Sequence, residues 1–309
     1  MVHHPGFAGK ITDLPTGLYS SAHWIWDRRG TAKAAGFPFS EETVTETILL
    51  DLASALSHMV HIIPFTKPQE GKTGADWEWC LYDLPNDRYL RFLMQAKVLD
   101  DKDKHYAHID RYIGNSSKRQ IDRLAETAME RGIPAIYVFY NHLSDETRVP
   151  IDRCACGPCL RCWGASIAPL DAVRDALPDK SFDSLRDVSM PWLCLLCAGH
   201  GIGPETDPIS GAIAGLARLN RLSREQRPHA RRDDLPTLVR EPERDPPTYI
   251  RELLELTDRE TSESRTRLID KIARDNPNLD GVALIDATRP RRRRAPRVIR
   301  PTVQVSTRL

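Results

Sequence analysis

"GKTGADWEWCLYDLPNDRYLRFLMQAKVL", residues 71–99, reads as two strands folded back on each other. "ADWEWCLYD" and "RYLRFLMQAKVL" are rich in aromatic and branched side chains, and a Pro-Asn pair between Leu84 and Asp87 signals the turn. Asp76 and Glu78 open one arm, and Gln95 and Lys97 close the other. Side chains alternate faces along a strand, so Asp76 shares a face with Glu78 and Gln95 shares one with Lys97. The two pairs can therefore meet. Acids opposite a lysine are also what an ordinary cross-strand ion pair looks like, so the neighbouring elements must decide between the two.

Outward from the hairpin, "SEETVTETILLDLASAL" (Ser40 to Leu56) begins with a capping serine followed by acids. It carries apolar residues at Val44, Ile48, Leu49, Leu52 and Leu56, which make a helical stripe. "MVHIIPFT", Met59 to Thr66, is a short strand that Pro64 ends or bulges. After the hairpin, "SKRQIDRLAETAMERG" (Ser117 to Gly132) is an amphipathic helix stopped by glycine, and "IPAIYVFYN" (Ile133 to Asn141) is a buried strand. The order is αβββαβ.

This order, with an acid opening the second strand and "QAK" (Gln95 to Lys97) in the third, resembles the PD-(D/E)XK nuclease superfamily. It is closest to the Mrr-like restriction endonucleases, whose third strand carries Gln-x-Lys, or to an uncharacterised bacterial family of that kind. The resemblance covers residues 40–141 and implies an α/β, restriction-endonuclease-like core. It also implies a metal-dependent endonuclease that hydrolyses phosphodiester bonds in DNA, with a role in defence against foreign DNA. Its catalytic set would be Glu46, Asp76, Gln95 and Lys97, with Glu42 as the fallback one turn before Glu46.

The residue types suit that chemistry. Phosphodiester hydrolysis needs a divalent cation, Mg2+ or Mn2+, to neutralise the phosphate and to generate hydroxide near neutral pH. Asp76, Glu46 and Gln95 supply hard oxygen ligands, and Lys97 would orient or help to deprotonate the attacking water. Gln95 brings no charge, which leaves the number of metal ions open. Glu78 could replace Asp76 or face solvent, and Gln120 could reach a phosphate from the second helix. Two other classes of function stay open. One is a nucleic-acid-binding protein on a degenerate nuclease core, and the other is a zinc-stabilised interaction protein.

Composition limits the partners. Across 309 residues, 44 Lys and Arg face 43 Asp and Glu, so net charge gives no general pull toward nucleic acid and any such partner must be met by a local patch. No apolar run approaches the roughly 18 residues needed to cross a bilayer, and the first residues lack the apolar centre of a signal peptide. The expectation is a cytoplasmic protein with no membrane partner, for which a homodimer is open.

Outside the core, residues 1–39 read as an N-terminal extension and 142–203 as a cysteine-rich extension packed on the core, with a helix at "APLDAVRDAL". Residues 204–309 read as a Pro/Arg-rich linker, a helical segment at "PTYIRELLELTDRETSESRTRLIDKIARD", and a partly disordered basic tail, "TRPRRRRAPRVIRP", able to meet DNA phosphates. "CACGPCLRC" (Cys154, Cys156, Cys159, Cys162) and "CLLC" (Cys194, Cys197) suggest structural Zn2+ held by four of these six thiolates. Cys194 with Cys197 would be one pair. The other is Cys156 with Cys159 or Cys159 with Cys162. "CGPC" also matches a thioredoxin-like redox motif, and free thiols are the remaining reading.

Overall fold

The computed structural model describes residues 11–65, 77–100, 102, 105–106, 108–112, 117–154, 157–177, 179–196, 207–226, 235–259 and 262–288. Asp76, Cys156, Cys197 and the basic tail from Arg289 lie outside these residues. Helix α1 (Leu14–Ala34) leads into α2 (Glu41–Ala55), strand β1 (Val60–Pro64), the hairpin β2 (Trp77–Asp83) and β3 (Arg88–Val98), helix α3 (Gln120–Arg131) and β4 (Ala135–Tyr140). There follow β5 (Ala165–Pro169), α4 (Leu170–Ala176), α5 (Phe182–Arg186), β6 (Met190–Pro191), α6 (Pro208–Gln226), α7 (Thr248–Arg259), α8 (Ser262–Asp275) and β7 (Gly281–Asp286).

The local signals act as the residues dictate. Ser40 caps α2 by accepting from the Thr43 N–H, and β1 ends at Pro64. Gly132 closes α3 at φ 63°, a left-handed conformation that suits glycine. The order α2–β1–β2–β3–α3–β4 is therefore present.

The seven strands form one sheet in the order β1-β7-β2-β3-β4-β5-β6. Its β7–β2 and β3–β4 pairs are parallel and the other four are antiparallel. Two expectations change here. Residues 204–309 show no strand in the sequence pattern, yet β7 sits between β1 and β2. The core expected over residues 40–141 ends at Asn141, yet β5 continues the sheet by pairing with β4. A six-residue apolar strand following a charged helix carries too little pattern to be recognised alone.

Helices cover both faces of this mixed α/β sheet. On one face Leu93, Tyr137 and Phe139 pack with Ile121 and Leu124 of α3 and with apolar residues of α4, α5, α7 and α8. On the other face Trp79, Phe92 and Val138 pack with α1, α2 and α6.

The hairpin register places Glu78 opposite Leu93, Cys80 opposite Arg91 and Tyr82 opposite Tyr89. Alternation therefore puts Glu78, Arg91, Gln95 and Lys97 on the α3 side of the sheet. Glu78 is fully buried, which overturns both the reading as a spare metal ligand and the solvent-facing one. Its carboxylate accepts from Arg91 Nη1 at 2.9 Å, Arg131 Nη1 at 3.1 Å and the Tyr249 hydroxyl at 2.6 Å.

Burial works against the Arg91 charge, but Glu78 beside it and the Glu243 carboxylate hold its pKa above the ordinary value. Burial and the Glu78 charge push Tyr249 well above the usual phenol value, so it stays a donor. Arg131 also donates to Asn276 Oδ1, so a single acid joins β2, β3, α3, α7 and the end of α8. Removing one member of a buried charge network leaves the others uncompensated. Glu78→Ala should therefore lower unfolding free energy by about 3–5 kcal/mol in urea titrations, without a matching effect for Glu46→Ala.

Candidate functional site

Lys97 lies near the end of β3, opposite Phe139 of β4, and is 1 % exposed. Its ammonium donates to both carboxylate oxygens of Glu41, at 3.0 and 3.3 Å. Glu41 opens α2 and remains partly exposed, with 22 % of its side chain accessible. The expected helix acid was Glu46, with Glu42 in reserve, but both are exposed.

Helical geometry gives the reason. Glu41 and Thr45 lie four residues apart on one stripe, and Thr45 Oγ1 is 3.0 Å from the Tyr140 hydroxyl on β4. Glu46 is turned about 100° further round the helix, away from that stripe. The sequence marked Glu41 only as an acid in the first turn, and nothing local distinguished it.

Gln95 is fully buried two residues before Lys97 on the same face, with its Nε2 directed to the Ala96 carbonyl at 3.4 Å. Gln120 is also buried, at the first position of α3, with its backbone N–H donating to the Arg111 carbonyl. Among the described residues, Gln95 and Lys97 share one face of β3, and the α2 acid that reaches Lys97 is Glu41.

Among the described residues the cysteines outside β2 gather in two places. Cys159 and Cys162 are joined as a disulfide, and His23 of α1 stands beside them. Its Nε2 is 3.5 Å from Cys159 Sγ and 3.8 Å from Cys162 Sγ. Cys194 meets Cys154 of the first cluster at 3.8 Å, both buried, while Cys156 and Cys197 lie outside the described residues. The three-residue group of His23, Cys159 and Cys162 has donor atoms close enough to hold a metal ion once the thiols are free. Burial, with the Arg161 charge adding to it and Asp27 opposing it, lowers the His23 pKa, which favours the neutral imidazole a metal requires. His23 lies 136 residues before Cys159, so no spacing rule could associate them.

The Glu41–Lys97 contact makes an energetic prediction. Glu41→Ala strips the carboxylate from a buried ammonium and should cost about 2 kcal/mol, whereas Glu46→Ala should stay within about 0.5 kcal/mol. Pairing Glu41→Ala with Lys97→Met should recover most of the loss, because an apolar side chain of similar length needs no partner. Chemical denaturation of the four proteins checks the order.

No helix among the described residues is long and apolar enough to cross a membrane. No curated protein and no solved structure matches the chain. A family profile matches residues 14–289, from the first turn of α1 to just past β7, and takes in both the Lys97 site and the His23–cysteine group. The chain belongs to that family, described as a family of unknown function (DUF6615).

Proposed function

We propose that the chain is a metal-dependent nuclease of the PD-(D/E)XK type, acting on DNA, with Lys97, Gln95, Glu41 and Asp76 as its working residues. The observation that carries the reading is Lys97 itself. It is a lysine buried on a central strand, two residues after a buried glutamine on the same face, with its ammonium held by a helix carboxylate. Burying an ammonium costs several kcal/mol, and packing alone gives no reason to place one there. The order α2–β1–β2–β3–α3–β4 supports the same reading.

Glu41, Gln95 and Asp76 would hold Mg2+ or Mn2+, and their carboxylate and amide oxygens are the hard donors these ions prefer. Among the described residues, acids do not gather into a group of three, so the set depends on Asp76, the residue just before β2. When bound, the ion lowers the pKa of water and offsets phosphate charge. Glu41 sets the position of the Lys97 ammonium, and Lys97 faces the developing negative charge or holds the attacking water. Gln95, uncharged, orients without adding repulsion. The basic tail supplies sequence-independent affinity for phosphates. Zinc, as a structural ion on the cysteine-rich segment, completes the metals of this reading.

A second reading has its own support. With 1 % exposure and a carboxylate already on it, Lys97 is also placed as a structural ion pair in a nucleic-acid-binding protein with a degenerate core. Plasmid cleavage with magnesium or manganese separates the two. On the nuclease reading wild type cuts, while Lys97→Ala and Asp76→Asn lose at least roughly 100-fold in rate and keep DNA affinity. Binding without cutting, lost with the residues from Arg289 onward, is the outcome of the second. Cutting by Lys97→Ala at the wild-type rate removes the site.

A further inference from the structure

We infer that His23, Cys159 and Cys162 form a zinc site that fastens helix α1 to the cysteine-rich turn. This inference does not depend on the nuclease reading, and its test does not use activity. Zinc–sulfur bonds of about 2.3 Å and zinc–nitrogen bonds of about 2.0–2.1 Å, at tetrahedral angles, place a thiolate and an imidazole nitrogen about 3.6 Å apart. His23 Nε2 stands 3.5 Å from Cys159 Sγ and 3.8 Å from Cys162 Sγ. Cys-x-x-Cys is the spacing with which a tight turn presents two thiolates to one ion. The Cys162 backbone N–H donates to Cys159 Sγ at 3.2 Å, so the turn itself holds that sulfur in place.

The two elements that deliver the ligands are already in register. A Cβ on Gly164 would sit 1.9 Å from the Ala22 carbonyl oxygen, so only glycine lets the turn Arg161–Gly164 lie this close to α1. Arg161 and Asp27 bridge the same two elements at 3.2 Å. Two thiolates and an imidazole select zinc over magnesium, which prefers oxygen donors. The disulfide and the zinc-bound form exclude each other because both use the same sulfurs, so zinc belongs to the reduced protein. His23 and Cys159 are half-buried and Cys162 is buried. Cys154 and Cys194 make a separate contact outside this group.

Full-length protein purified with a phosphine reductant should carry zinc on elemental analysis. Cys159→Ser with Cys162→Ser should lower the content by about one ion per chain. His23→Ala should release that ion to a chelator at least tenfold more readily, and His23→Cys should retain it. Cobalt(II) loaded in place of zinc reports the donor set directly, since His23→Cys replaces nitrogen with sulfur and must change the visible spectrum. That spectrum decides the matter if the alanine or serine variants fail to fold. The site is overturned if reduced wild type holds no zinc or holds copper instead. Unchanged metal content and chelator resistance in the variants, or a cobalt spectrum indifferent to His23→Cys, also overturn it.

Discussion

A fully buried glutamate in the second strand imposes the main constraint on this structure. Glu78 has no access to water, so its charge must be met from within the protein, and three donors converge on it from β3, α3 and α7. Each partner is also committed elsewhere. Arg91 bonds Glu243, which itself pairs with Tyr89 through the backbone, and Arg131 bonds Asn276 just before β7. Hydrophobic burial is non-directional, whereas a network with fixed donor geometry specifies one arrangement. The network accordingly holds the start of α7 and the residue after α8, and β7, beginning at Gly281, enters the sheet beside β2.

The same face of β3 carries a second buried charge, and the two are solved differently. Arg91 is neutralised by acids on strand and loop and remains enclosed, as a structural ion should. Lys97, six residues on, is met by one carboxylate that is still partly accessible. The two charges thus serve separate contacts: Glu78 and its donors join β2, β3, α3 and α7, whereas the Lys97–Glu41 pair joins the end of β3 to the start of α2.

How much of this was legible in the sequence varied with the strength of the local pattern. Helix α2, the hairpin, α3 and β4 carry capping residues, alternation or apolar stripes, and each lies close to its expected place. Helix α1 was not expected. Its buried positions include Gly17, Ser20, Ser21 and Arg29 beside Leu18 and Ile25, so no clean apolar stripe marks it. Helix α6 opens with proline and carries two glycines in a stretch that reads as linker. The site followed the same rule. Gln95 and Lys97 share a face because alternation demands it, but choosing Glu41 over Glu46 needed the rotation of α2 against β4. His23 needed the whole fold to bring it to Cys159.

Helix α1 connects the two candidate centres. His23 meets the Cys159–Cys162 pair, and six residues later, about 9 Å along the helix, Arg29 is buried and donates to the carbonyls of Leu99 and Phe39. Leu99 follows β3, which carries Lys97, and Phe39 precedes α2, which carries Glu41. A guanidinium that bonds both carbonyls holds the end of that strand against the start of that helix, which is where the ammonium and carboxylate meet. Anything that fixes the register of α1 at His23 therefore also fixes the frame of the Lys97–Glu41 pair, through a helix rather than through shared ligands. Distant cysteines and a buried lysine become parts of one mechanical unit by this route, and the helix joining them carries no catalytic signature of its own.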